Sequence, residues 1–223
     1  MQYRRISIVI FLTLLPWPAV WFGMYKLSSL VATFFLYHFG CLLPAIIWQR
    51  KLWRSHLTLP SRKQWIVLIA TALSACLAAV FIYKFSGTMI VSRTQVLSVL
   101  TERGFSARWL LTLSLYFVVV NATLEELFWR GVVLNELDLV NARTRFAGTA
   151  WTAFAFAAWH WLVLRALLRP GWAELGVLGV LGMGFFSSWL YRKTRSIILP
   201  ILWHALVFDL AVIAMFAWLV YET

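Results

Sequence analysis

From Leu110 to Val120 the chain reads Leu-Leu-Thr-Leu-Ser-Leu-Tyr-Phe-Val-Val-Val, with no charge. Six further runs of similar character bring the set to roughly 6–24, 28–48, 65–84, 108–129, 146–168, 172–190 and 197–220. Runs of about 20 continuous apolar residues are the length at which an α-helix spans a bilayer, because its backbone hydrogen bonds close within the segment. A membrane β-barrel would alternate polar and apolar positions instead. With 62% hydrophobic residues and a mean hydropathy of +0.81, the chain is read as an all-α, polytopic transmembrane bundle of seven spans. An eighth is counted if residues 87–107 cross; their Val91, Val96, Leu97, Leu100 and Phe105 suggest an interfacial amphipathic helix instead. No repeat, low-complexity tract or linker divides residues 1–223, so one integral membrane domain is expected.

The net charge of +12 raises nucleic acid as a partner, but the basic residues sit in short loops between apolar runs. That is the positive-inside pattern, so no nucleic-acid role is assigned and the lipid bilayer is the implied partner. The larger basic set is Arg4, Arg5, Arg50, Lys51, Arg54, Arg62, Lys63, Arg130, Arg143, Arg145, Arg192, Lys193 and Arg195. Placing it inside gives a cytoplasmic N-terminus and, for seven spans, an external C-terminus. Arg4 and Arg5 before an apolar core resemble a signal peptide, but Pro16-Trp17-Pro18 and Trp21-Phe22 offer no small-residue cleavage site, so an uncleaved span is expected. Trp48, Trp53, Trp65, Trp109, Trp172 and Trp189 fall near span ends as an aromatic belt. Gly176, Gly179, Gly182 and Gly184 are read as permitting close helix approach. Cys41 and Cys76 lie in apolar runs and read as packing residues.

Ionisable groups at membrane depth are expensive and are retained where pairing or function needs them. Three acidic residues, Glu125, Glu126 and Asp209, and three histidines, His38, His160 and His204, fall in or at the edge of the runs. Glu126 and Arg130 stand at i and i+4 on a helix, which suits an ion pair. Glu125 points about 100° away, with Asn121 one turn before it. The bland alternative is a cytoplasmic helix end with an ordinary salt bridge. His38 reads as a hydrogen-bonded structural histidine, and His56, in a basic loop, as having no special role. Glu125, His160 and His204 together bring a carboxylate and two imidazoles from three helices. A carboxylate in apolar surroundings can act as general base on water, an imidazole can hold that water, and a second can donate to an oxyanion. A Glu and two His could instead hold zinc with one position open to water, although no His-Glu-x-x-His helix favours it. No cofactor is favoured, and zinc is the metal alternative.

Glu125-Glu126-x-x-x-Arg130, then Phe156-x-x-x-His160, then His204 after Tyr191-Arg-Lys-Thr-Arg-Ser and Pro200 resembles the CPBP family. That family joins CaaX prenyl proteases of the type II (Rce1-like) class to bacteriocin-processing intramembrane proteases, also called Abi proteins. The resemblance covers about residues 108–215 and implies a helical bundle with a membrane cavity open to the cytoplasm. It implies that Glu125 is the catalytic glutamate, His160 its partner in activating water, and His204 the oxyanion-side histidine. Asn121, Glu126, Arg130, Phe156 and Asp209 are the expected supporting residues. The family usually has Asn or Asp four residues after the last histidine; here that position is Phe208, and Asp209 follows. A π-bulge would re-aim Asp209; otherwise the oxyanion side is built differently, with Asp209 behind His204 or in a bond remote from the site.

The expected function is therefore an intramembrane endopeptidase acting on a membrane-associated peptide or protein, in a prokaryotic cytoplasmic membrane. Prenylated CaaX peptides, pheromone or bacteriocin leaders and C-terminal sorting tails all fit. The rivals are a catalytically inactive scaffold or immunity factor using the same cavity, and a proton-coupled transporter. The sequence shows neither the paired halves nor the matched broken helices that transport implies.

Overall fold

The computed structural model describes residues 2–140 and 145–221, so Arg143 lies outside the described residues. Six helices are long and apolar enough to cross a membrane: α1 (Tyr3–Lys26), α2 (Leu30–Trp48), α3 (Arg62–Ile90), α5 (Ala107–Val140), α7 (Trp172–Thr194) and α8 (Ile198–Tyr221). Between them lie α4 (Arg93–Glu102) and α6 (Arg145–Leu167). The fold is a polytopic all-α bundle, as the apolar runs require.

α6 is not among the six because Arg145, His160, Arg165 and its tryptophans dilute its hydropathy. At 23 residues it is nevertheless about 35 Å long, enough to cross. Its neighbours replace lipid: Ala153, Ala155, Phe156, Ala157 and Trp159 are all buried. A Cβ at Gly184 of α7 would lie 2.9 Å from the Ala153 Cα, so α6 and α7 pack at backbone distance. Gly179 and Gly182 would meet nothing within 4 Å, so they do not serve the close approach expected of them. Segment 87–107 does not supply an eighth span. Its α4 has 10 residues, about 15 Å, and buries Val96 against Tyr83, Val91 and Leu219.

Helix starts are locally encoded. Ser61 Oγ accepts from Gln64 N at 3.4 Å while Gln64 Oε1 accepts from Ser61 N at 2.7 Å, a capping box that opens α3. Ser29 Oγ likewise accepts from Ala32 N at the start of α2. α3 turns Leu73, Leu77 and Phe85 outward, as a lipid-facing helix does.

Among the described residues, seven long helices alternate between two ends. Arg5 Nη1 reaches Glu136 Oε2 at 2.6 Å, Arg192 Nη2 reaches Asp138 Oδ1 at 2.5 Å, and Asn135 Nδ2 donates to the Leu52 carbonyl. Those contacts gather the start of α1 with the ends of α2, α5 and α7. At the opposite end, Leu30 N donates to the Arg103 carbonyl, Arg169 N to Ile90 and Arg93 Nε to Leu219. The described loop residues of the larger basic set therefore share one end of the bundle. Arg130 is the exception: it is no loop charge but fully buried inside α5.

Candidate active site

α5 is 34 residues long, well beyond the expected end near 129, so Glu125, Glu126 and Arg130 lie inside it rather than at a frayed end. All three are at most 1% exposed. Arg130 Nη1 donates to Glu126 Oε1 at 2.9 Å, and its Nη2 donates to the Gly184 carbonyl of α7 at 3.1 Å. Its guanidinium lies 4.9 Å from the Phe156 ring centre on α6. The expected ion pair is thus present, and it ties three helices together.

Glu126 does more than neutralise Arg130. The same Oε1 faces His204 Nδ1 at 3.0 Å, fixing the imidazole of α8 against α5. The other imidazole nitrogen, Nε2, then points at Glu125 Oε2 (3.6 Å) and Asp209 Oδ1 (3.4 Å). Glu125 Oε1 accepts a hydrogen bond from the Tyr37 hydroxyl at 2.8 Å, whereas its Oε2 has no hydrogen-bond partner among the described residues. One oxygen of Glu125 is anchored, and the other is available beside a histidine.

The position of Asp209 follows from the backbone. Residues His204–Asp209 form a π-helical turn within α8. On a regular α-helix i+5 lies about 140° from i, which would turn Asp209 away from His204. An i→i+5 turn holds one residue more, so i+5 stacks where i+4 otherwise would. Asp209 thereby takes the place that Phe208 would occupy on an α-helical turn, and it is not remote from the site. Its Oδ2 accepts from Asn121 Nδ2 at 3.3 Å. π-helical turns also carry the other contributors: Phe35–Leu42 holds Tyr37 and His38, Phe117–Asn121 ends on Asn121, and Leu127–Leu134 holds Arg130.

Asn121 extends the network outward. His38 Nε2 lies 3.0 Å from Asn121 Oδ1, and His38 Nδ1 lies 2.7 Å from the Tyr116 hydroxyl. His38 is hydrogen-bonded, as expected, but it belongs to the chain of bonds that ends at Asp209. Tyr37 and Tyr116 were not singled out in the sequence. The available signal was two phenols in otherwise apolar runs, one of them adjacent to a buried histidine.

His160 is placed differently. Its Nδ1 is 2.7 Å from the Phe156 carbonyl one turn earlier, so that nitrogen carries the proton in a neutral ring and Nε2 is the acceptor. No hydrogen bond joins His160 to Glu125 among the described residues; the link runs through rings. His160 packs on Trp159 (centroids 3.8 Å apart), Trp159 packs on Tyr37 (4.5 Å), and Tyr37 holds Glu125. Phe156 stands between the two imidazoles, 4.7 Å from His160 and 6.2 Å from His204. His56, read as idle, in fact bonds through Nδ1 to the Tyr191 hydroxyl, and Tyr191 in turn accepts from Asn135.

Among the described residues, no group of three or more His, Cys, Asp or Glu side chains is arranged to hold a metal ion. Chemically, the cluster offers a half-anchored carboxylate, an imidazole nitrogen facing it, and an amide beside a second carboxylate. The sequence pattern of the family described as type II CAAX prenyl endopeptidase Rce1-like matches residues 107–208, which include Glu125, His160 and His204. No curated protein and no solved structure matches the chain.

Proposed function

We propose that this multi-pass membrane protein, whose residues 107–208 match the type II CAAX prenyl endopeptidase Rce1-like family pattern, is a glutamate-type intramembrane endopeptidase. The observation that supports it most is the unpartnered Glu125 Oε2 facing His204 Nε2, with Glu125 Oε1 anchored by Tyr37.

In this reading a water bound at Glu125 Oε2, with His160 Nε2 as its second acceptor, gives one proton to Glu125. The resulting hydroxide oxygen bonds to the scissile carbonyl carbon, and the C=O electron pair moves onto the carbonyl oxygen. His204, as an imidazolium donating from Nδ1 to Glu126 and from Nε2 into the site, and the Asn121 amide are the donors offered to that developing charge. Collapse re-forms C=O and breaks the C–N bond, and the proton held by Glu125 passes to the leaving amine. Asp209 and Glu126 touch His204 from either side and act as positioning residues. The substrate class is a membrane-associated peptide or protein. We further place the basic end of the bundle, with the N-terminus, in the cytoplasm of a prokaryotic cell.

The rival reading, an inactive scaffold or immunity factor, draws on Phe208 standing where the family carries Asn or Asp. Comparing newly formed peptide termini in membranes carrying wild type or Glu125→Gln separates the two. A set of termini that disappears with Glu125→Gln identifies substrate and cleavage site together. Identical termini, with the cellular function intact, would leave the scaffold. Cleavage abolished by a chelator and restored by zinc alone would replace the glutamate mechanism with a metal one.

A further inference from the structure

α7 has two working faces. Gly184, Ser187 and Tyr191 are buried, whereas Phe185 and Phe186 are half-buried and Trp189 and Lys193 exposed. On the outward side lie two grooves, and neither is lined by a residue of the candidate active site. The larger, about 610 Å³, runs between α6 and α7 along Phe146, Phe185, Phe186 and Trp189. The smaller, about 270 Å³, runs between α7, α3 and the start of α8 along Val67, Leu68, Leu199 and Trp203. They share Trp189 and Lys193, and Lys63 lines the smaller one.

The charges at the groove mouth are unequal in availability. Arg192 is engaged by Asp138 and by the Arg145 carbonyl. Lys193 and Lys63 are exposed, and neither forms an ion pair among the described residues. Lys193 Nζ lies 5.0 Å from the Trp189 ring centre, which holds the ammonium where the two grooves meet. Both lysines stand at the basic end of the bundle.

We propose that this surface binds one anionic diacyl phospholipid from the surrounding leaflet, with one acyl chain on each side of Trp189 and the phosphate on Lys193 and Lys63. Two apolar grooves converging on one cationic mouth match a ligand with two chains and one negative head. Basic recesses between membrane helices are where anionic headgroups are held. A zwitterionic lipid would bring its own ammonium to the mouth along with its phosphate and so no net counter-charge for the lysines, and a single isoprenoid chain would fill one groove and bring no anion. The proposal does not depend on the proteolytic reading.

The test uses the purified full chain in neutral micelles supplied with equal phosphatidylglycerol and phosphatidylcholine, with retained lipids counted by native mass spectrometry. One phosphatidylglycerol per chain is retained in preference. Lys63→Gln and Lys193→Gln each lower that preference about fivefold, and together about thirtyfold. Lys193→Arg keeps it, and Lys51→Gln, exposed at the same end but off the grooves, leaves it unchanged. Unaltered melting of each variant in phosphatidylcholine alone shows that the fold is intact. Equal retention of both lipids overturns the proposal, as does a loss with Lys51→Gln matching that with Lys193→Gln. Displacement of the bound phosphatidylglycerol by a farnesylated peptide also overturns it, because the grooves would then receive a substrate tail.

Discussion

Replacing Glu126 by Gln keeps its shape and removes its charge, and the structure states what that costs. Glu126 Oε1 faces both Arg130 Nη1 (2.9 Å) and His204 Nδ1 (3.0 Å), and an amide oxygen in the same rotamer can accept from both. What disappears is the negative charge opposite a guanidinium whose side chain is 0% exposed. Arg130 then keeps only neutral oxygens, the amide and the Gly184 carbonyl. Breaking one side of a buried ion pair costs about 3–5 kcal/mol, and the surviving hydrogen bonds put this case near the lower figure. For a chain of this size, 3 kcal/mol corresponds to a melting temperature lower by roughly 6–12 °C. Glu125→Gln is the control, since Glu125 forms no direct ion pair with an Arg or Lys among the described residues and the new amide oxygen can still accept from Tyr37. That variant should melt close to wild type and lose cleavage by about 10²–10⁴-fold. Thermal unfolding in neutral detergent, run beside a cleavage assay on membranes, reads both quantities. If both variants melt like wild type and lose activity equally, the assignment of Glu126 to structure and Glu125 to chemistry is wrong.

Asp209→Asn should be nearly as damaging to cleavage as Asp209→Ala, because Asp209 accepts from Asn121 Nδ2 and faces His204 Nε2, and an amide must turn its NH₂ toward one of these donors. Wild-type turnover in the Asn variant would remove the carboxylate from the argument. Tyr37→Phe deletes the anchor of Glu125 Oε1 and should slow cleavage about tenfold or more with little change in fold; unchanged rates would show that Glu125 is held by other means. His56 has its pKa lowered, first by burial and then by Arg195, so the folded chain binds a proton there less readily than the unfolded chain. Stability should therefore fall as pH drops below the ordinary histidine value of about 6.5, and His56→Gln should flatten that slope in melting curves. Reporter fusions after Lys51 and after Tyr221 should read cytoplasmic and external respectively; two cytoplasmic readings would break the seven-helix alternation.

The legible part of the site was the part written in helical spacing. Glu126 and Arg130 at i and i+4 specified their pair, and the order Glu125, Phe156-x-x-x-His160, His204 marked the three helices that converge. Helix spacing left Asp209 open between a π-bulge and a position turned away from His204, because the α-helical period holds only while every bond is i→i+4. The π turn at His204–Asp209 changes the period over one turn and rotates a side chain across the helix. Tyr37, His38 and Tyr116 were illegible as partners for a different reason. Each is one polar group in an apolar run, and its partner lies on a helix remote in sequence.

The sequence by itself determined the membrane class, the segregation of loop basic residues to one end, and the identity of the buried ionisable groups. Continuous apolar runs leave the backbone no other way to satisfy its hydrogen bonds, and each charge within them must find a partner. Only the tertiary structure decided which partner each found: Tyr37 for Glu125, His204 as well as Arg130 for Glu126, and Asn121 for Asp209. It also decided that α6, diluted by polar residues, still packs as a full-length helix, because α7 rather than lipid covers its face. Hydropathy is a property of a segment, whereas hydrogen bonds a few ångströms long depend on how helices are rotated and set against one another. That geometry is fixed by packing across the whole bundle and is written in no single stretch of the chain.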